Sequence, residues 1–108
     1  MDKTLREVCI ALNVTRRAVQ GYENAGLVSA SGRNSRDYLL YDEDAQERIR
    51  KIKMYQDLDF SLREIKEIID APKEVVKSAL QKQQEKLKEE KDYQGMLMQR
   101  AFDMIEKG

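Results

Sequence analysis

Apolar residues along this chain recur at helical spacing in four short stretches, broken once by a polar region, and then along one long final segment. Thr4 and Glu7 have capping-box spacing, and Leu5, Val8, Cys9 and Leu12 fall at i, i+3, i+4 and i+7, one face of a first helix. Asn13 and Val14 interrupt it. Thr15 can cap a second helix whose inner stripe is Ala18, Val19 and Tyr22 and which ends near Gly26, a residue free to turn left-handed. From Leu27 to Tyr41 the helical period is lost. LV, then SASGRNSRD, then YLLY predict two β-prone runs around a polar loop, a hairpin. Asp42, with Glu43 and Asp44 behind it, opens a third helix that turns Ala45, Ile49 and Ile52 inward. Ser61 and Glu64 repeat the capping box before a fourth helix with Leu62, Ile65, Ile68 and Ile69 inside, and Pro72 cuts this part from the remainder of the chain.

From Lys73 to Lys107 the sequence is almost continuously helix-forming, with Gly95 the one weak former inside it. Alternating steps of four and three pick out Val76, Leu80, Gln83, Leu87, Glu90, Gln94, Leu97, Ala101 and Met104, a seam apolar at both ends and polar in the middle. A helix of about 35 residues is roughly 50 Å long, too long to be covered by so small a domain. It needs a partner helix. The expected organisation is a domain over residues 1–71 and an antiparallel coiled-coil dimerisation helix over 72–108. Val76, Leu80 and Leu87 of one copy would meet Leu97, Ala101 and Met104 of the other.

Composition narrows the chemistry. With 20 Lys+Arg against 20 Asp+Glu in 108 residues the net charge is zero, so whole-chain charge favours no partner. There is no histidine and one cysteine, Cys9, which excludes a disulfide framework and a metal site built from Cys and His pairs. Cys9 lies on an apolar stripe, where a structural thiol is expected. Neither a metal nor another cofactor is expected. No nucleophile has an evident base partner, which argues against an enzyme. No apolar run approaches a membrane span and the N-terminus lacks a signal-peptide pattern, so a cytoplasmic setting is expected.

Charge is nevertheless local. Thr15 to Arg36 holds four arginines against one acid, Glu23, a surplus of +3. Two helices joined by a tight turn, the second opening with a cap and two arginines, can put that second helix into a DNA major groove. Arg16 and Arg17 in a first helical turn oppose the helix dipole and so ask for an anionic partner, while Thr15 can meet a phosphate at the helix start. The hairpin loop adds Arg33 and Arg36 among small polar residues that allow close approach to a backbone, and can act as a wing.

Those residues, with Val14, Thr15, Arg17, Val19, Tyr22, Glu23, Gly26 and Leu27, then Tyr38 and Tyr41, then Leu58, Phe60, Ser61, Leu62, Glu64 and Ile65, resemble the DNA-binding domain of MerR-type transcription regulators from Thr4 to Asp70. The resemblance implies a mainly α fold: a winged helix-turn-helix DNA-binding domain with a small β-hairpin wing and a long C-terminal coiled-coil helix. It also implies a homodimer on a pseudo-palindromic promoter, distorting double-stranded DNA so that RNA polymerase can engage. Base-edge contacts are expected from Arg17 and Gln20, and phosphate or wing contacts from Thr15, Arg16, Tyr22, Arg33, Arg36 and Tyr38, with Arg63 near a helix start as a further contact. The chain departs from the family pattern in three places. Gln20 and Gly21 stand where a basic and an aromatic residue are usual, Leu39 stands for a wing arginine, and Asp59 replaces the glycine that ends the third helix. A second class therefore stays open at this point: a coiled-coil adaptor whose winged helix no longer binds DNA tightly. The Met96, Leu97, Met98, Phe102, Met104 and Ile105 cluster offers the same kind of choice between an effector pocket and packing against a partner subunit, and packing is the expected role.

Overall fold

The computed structural model describes residues 1–107, so Gly108, the last residue of the expected arm, lies outside the described residues. Five helices and three very short strands come in the order β1 (Lys3–Thr4), α1 (Leu5–Leu12), α2 (Arg16–Asn24), β2 (Gly32–Arg33), β3 (Leu39–Tyr41), α3 (Glu43–Asp57), α4 (Leu62–Ile68) and α5 (Lys73–Lys107). The chain divides into two units, Met1–Ala71 and the segment from Pro72 onward.

Helix starts fall where the caps predict them. Thr4 and Ser61 each accept from the backbone N–H three residues on, while Glu7 and Glu64 accept from the cap's own N–H, closing both capping boxes. Thr15 and Asp42 cap α2 and α3 by accepting from Ala18 and Ala45. Each of these bonds satisfies an amide that the helix cannot.

Three helix ends share one closure. Asn13, Gly26 and Asp59 take left-handed backbone at φ 52, 75 and 67, and the residue after each donates its N–H back across the turn. Val14 reaches the Cys9 carbonyl at 3.1 Å, Leu27 that of Tyr22 at 3.0 Å, and Phe60 that of Tyr55 at 3.1 Å. Val14, Leu27 and Phe60 are all buried, so every reversal also plants an apolar anchor. Asp59 thus takes the left-handed conformation that the family's glycine would supply, as an aspartate can.

The core of the first unit joins Val8, Val19, Tyr22, Tyr41, Ile49, Ile52 and Ile65, each at most 2% exposed. α1 packs on α2 and β3, α2 on α3, and α3 on α4. Tyr55 meets Phe60 edge to face, ring centres 5.8 Å apart, which fixes the α3–α4 turn.

The hairpin corrects the sequence reading. Leu27 and Val28 form no strand; they are a buried connection, and the strand facing β3 is Gly32–Arg33, inside the expected loop. Residues just after a helix reversal are pinned by the core, and pairing begins only where the backbone has cleared it. β1 is a further strand that the residue pattern does not predict. It pairs antiparallel with β3, Lys3 opposite Tyr41, so β3 is the middle strand of a sheet ordered β1-β3-β2.

In the second unit α5 is a 35-residue helix whose backbone begins at Pro72, the carbonyl of which accepts from Val75 and Val76. Proline suits this place because a helix start has no use for its missing N–H. Val76, Leu80 and Leu87 are half-buried, whereas Leu97, Ala101 and Met104 are exposed. Among the described residues no helix is long and apolar enough to cross a membrane.

Candidate nucleic-acid interface

α2 has two chemically distinct sides. Val19 and Tyr22 face the core and Ala18 is half-buried beside them, while Arg16, Arg17 and Gln20 lie exposed on the other side, one helical turn deep. Thr15 accepts from the Ala18 N–H at 3.0 Å and is exposed, which leaves its hydroxyl proton available to an outside acceptor.

Tyr22 sits on the inner stripe, as its spacing predicts, and not at a phosphate, as the family resemblance implies. Its ring is 2% exposed and its hydroxyl donates to Gln56 Oε1 of α3 at 2.6 Å. As the residue three beyond Val19 it belongs to the inner stripe, which withdraws it from phosphate contact. On the next residue, Glu23 accepts from the Tyr41 hydroxyl of β3 at 2.6 Å. Two tyrosine O–H groups therefore hold α2, one toward α3 and one toward the wing. Burial raises the Tyr22 hydroxyl above its ordinary value, helped by Asp57. Burial, then the bond to Glu23, raises Tyr41 further. Both stay protonated donors at neutral pH.

A third tie comes from Arg48 of α3, whose Nε donates to the Leu27 carbonyl just past α2 while Nη1 and Nη2 reach both Asp70 carboxylate oxygens at 2.7 and 2.9 Å. The Arg48 guanidinium holds the Asp70 carboxyl below the usual carboxylate range. One side chain thus joins the exit of α2 to the chain beyond α4.

The wing is ordered by its own turn. Asn34 and Tyr38 bond N–H to carbonyl at 3.0 Å, Asp37 takes left-handed backbone at φ 65, and Asn34 Oδ1 accepts from the Arg36 and Tyr38 amides at 2.9 and 3.0 Å. Arg36 and Tyr38 are exposed at this tip. Arg33 is exposed too, though its Nη1 donates to the Asp37 carbonyl at 2.9 Å and lies 3.4 Å from the Asp37 carboxylate, so that a surface pair competes with any phosphate. Arg63 is exposed on the first turn of α4. Thr15, Arg16, Arg17 and Gln20 thus share α2 and its cap, and Arg33, Arg36 and Tyr38 share the wing. Sequence reasoning missed Arg6, an exposed residue of α1 that lines one cleft with Arg16 and Tyr38. Nothing in the order of residues marks it, because only the fold brings α1 beside the wing.

Comparison with known proteins agrees with this geometry. The profile of the MerR HTH family regulatory proteins matches residues 3–72. The HTH-type transcriptional activator mta of Bacillus subtilis is 32% identical over 106 residues, covering 98% of this chain and 38% of that protein. The chain spans less than half the length of the curated relatives it matches. Among solved structures, MtaN, the N-terminus of the Bacillus subtilis multidrug transporter activator, superposes with a TM-score of 0.84 at 29% identity, over 95% of this chain and 97% of that one. HiNmlR, a MerR family regulator lacking the sensor domain and bound to promoter DNA, superposes with a TM-score of 0.67 at 18% identity, over 95% and 80% of the two chains, a likeness of fold.

Proposed function

This chain belongs to the MerR family of helix-turn-helix regulatory proteins, DNA-binding transcription regulators, and we propose that it works as a homodimer that grips a pseudo-palindromic promoter and distorts it for RNA polymerase. The observation that carries the proposal is the outer side of α2. Arg16, Arg17 and Gln20 are exposed there while buried tyrosines hold the helix from behind, and a preformed wing carries Arg33 and Arg36. A rigid helix offering a guanidinium and an amide at i and i+3 suits base edges, guanine for Arg17 and adenine for Gln20. The wing arginines, Arg16, Thr15 and Tyr38 suit phosphates, and Arg63 reaches for a more distant one. The DNA-bound state of HiNmlR, a regulator without a sensor domain, supports the same role here.

The arm supplies the second copy. Val76, Leu80 and Leu87 would cover Leu97, Ala101 and Met104 of an antiparallel partner, and Gln83, Glu90 and Gln94 would fix the register. Two recognition helices held at a set distance then demand half-sites separated by whole turns of DNA.

Gel retardation with the promoter of the chain's own gene tests the proposal. Arg17→Ala is expected to weaken that complex far more than a complex with random DNA, since a base-edge contact carries roughly 1–3 kcal/mol of discrimination. Equal losses on both DNAs would move Arg17 to a phosphate. No retardation by the native chain would leave the adaptor role, which Gln20, Gly21 and Leu39 favour. Sedimentation supplies the other half: a native dimer at micromolar concentration is expected, and a monomer there would sink the paired arms.

A further inference from the structure

A cleft opens between the first turn of α1, the first turn of α2 and the wing, lined by Thr4, Leu5, Arg6, Arg16, Tyr38 and Leu39 together with Asp37. Two different helices thus supply one guanidinium each, Arg6 and Arg16, both exposed. Neither makes an ion pair among the described residues. Neither nearby carboxylate pairs with them. Glu7 accepts from the amide and hydroxyl of Thr4 at 3.0 and 3.1 Å, and Asp37 lies 3.4 Å from Arg33 Nη1. Leu5 and Leu39 give the cleft apolar walls, and Tyr38, 57% exposed, brings a hydroxyl donor.

Two arginines without ion pairs and a tyrosine line one recess, a set of donors that suits a tetrahedral anion. The recess lies beside the outer side of α2, where a DNA strand bordering the groove would run. We infer that this cleft holds a backbone phosphate of the duplex, and that Arg6 of α1 is a DNA ligand beyond those of α2 and the wing. The inference rests on the DNA-binding role proposed above. Leu39 lines the same cleft, so the cation absent at that wing position is replaced by one arriving from α1.

The test is retardation of a random-sequence duplex by the full chain across a salt series, because a phosphate contact is blind to sequence. Arg6→Ala is expected to flatten the plot of log affinity against log salt by about one unit per bound domain. Adding Leu39→Arg to that variant is expected to restore the slope. Arg6 is exposed on a helix, so Arg6→Ala keeps the native circular dichroism, and Arg6→Gln serves as a second neutral variant. An unchanged slope for both neutral variants, with Arg33→Ala still flattening it, overturns the inference and leaves α2 and the wing in their roles. Flattening that Leu39→Arg fails to restore overturns the shared cleft. Inorganic phosphate at matched ionic strength separates the two sources of the anion: it is expected to leave the native affinity unchanged, and selective erasure of the Arg6 contribution would reassign the cleft to a free anion. Absence of any binding by the native chain overturns both the inference and the role beneath it.

Discussion

The two units of this molecule use the same alphabet to opposite ends. In Met1–Ala71 each apolar stripe meets another, and Ile49, Ile52 and Ile65 are fully out of water. In α5 the last turns keep Leu97, Met98, Phe102, Met104 and Ile105 between 45% and 76% exposed. Both stretches are amphipathic by the same spacing. Periodicity says which side of a helix wants cover and is silent about which molecule provides it. The length of the helix, about 50 Å, is what motivates the paired arms proposed above.

Breaking the comparison takes one alanine in each unit. Ile52→Ala is expected to lower the unfolding free energy by about 2–5 kcal/mol, a large share of the roughly 5–15 kcal/mol that holds a domain together. Met104→Ala is expected to change the unfolding of a dilute chain by less than about 0.5 kcal/mol, and to act instead through a weaker dimer. Urea denaturation at two protein concentrations reads both. A concentration-independent loss at Met104 as large as that at Ile52 would show the arm to be covered by its own chain.

A smaller change sharpens the contrast inside the first unit. Gly21 sits mid-helix in α2, and a methyl group there would meet nothing within 4 Å. Gly21→Ala is expected to stabilise the unit by about 0.5–1 kcal/mol, seen as a raised thermal midpoint, by restricting the unfolded chain. A fall in the midpoint would mean that α2 needs its glycine for movement.

The smallest effect is one of pH. The Asp70 carboxyl is lowered by Arg48, so its contribution is present above the ordinary carboxylate value near about pH 4 and is lost as pH falls through the lower folded value. Asp70→Asn is therefore expected to melt earlier than the native chain at neutral pH and to converge with it as pH falls below the ordinary carboxylate range. A gap independent of pH would mean that the Arg48 clasp acts by packing alone.

Much of this is legible in the residues themselves. Thr4, Thr15, Asp42 and Ser61 announce helix starts by local hydrogen bonds that need no tertiary knowledge, and Arg16, Arg17 and Gln20 stay exposed as their spacing implies. What escapes is what depends on distant partners. A strand of two residues has no period, so Lys3–Thr4 and Gly32–Arg33 exist only because β3 lies beside them. Tyr22 is given a phosphate contact by the family resemblance although its spacing from Val19 already puts it on the inner stripe, and its burial against Gln56 decides for the spacing. Arg6 is overlooked because the cleft it lines is made by three separate segments.

The order of the sheet also bears on how the domain moves. β3 pairs with β2 across a tight turn, but its other edge is closed by β1, about 38 residues earlier in the chain. Both helices of the helix-turn-helix lie inside that loop, whose closure costs roughly 3 kcal/mol of chain entropy. The wing is therefore two strands of a three-stranded sheet and no free-standing hairpin. Because β1 runs straight into α1 through the Thr4 cap, exchange of the amides between β1 and β3 would report how firmly the start of the chain is seated against the wing.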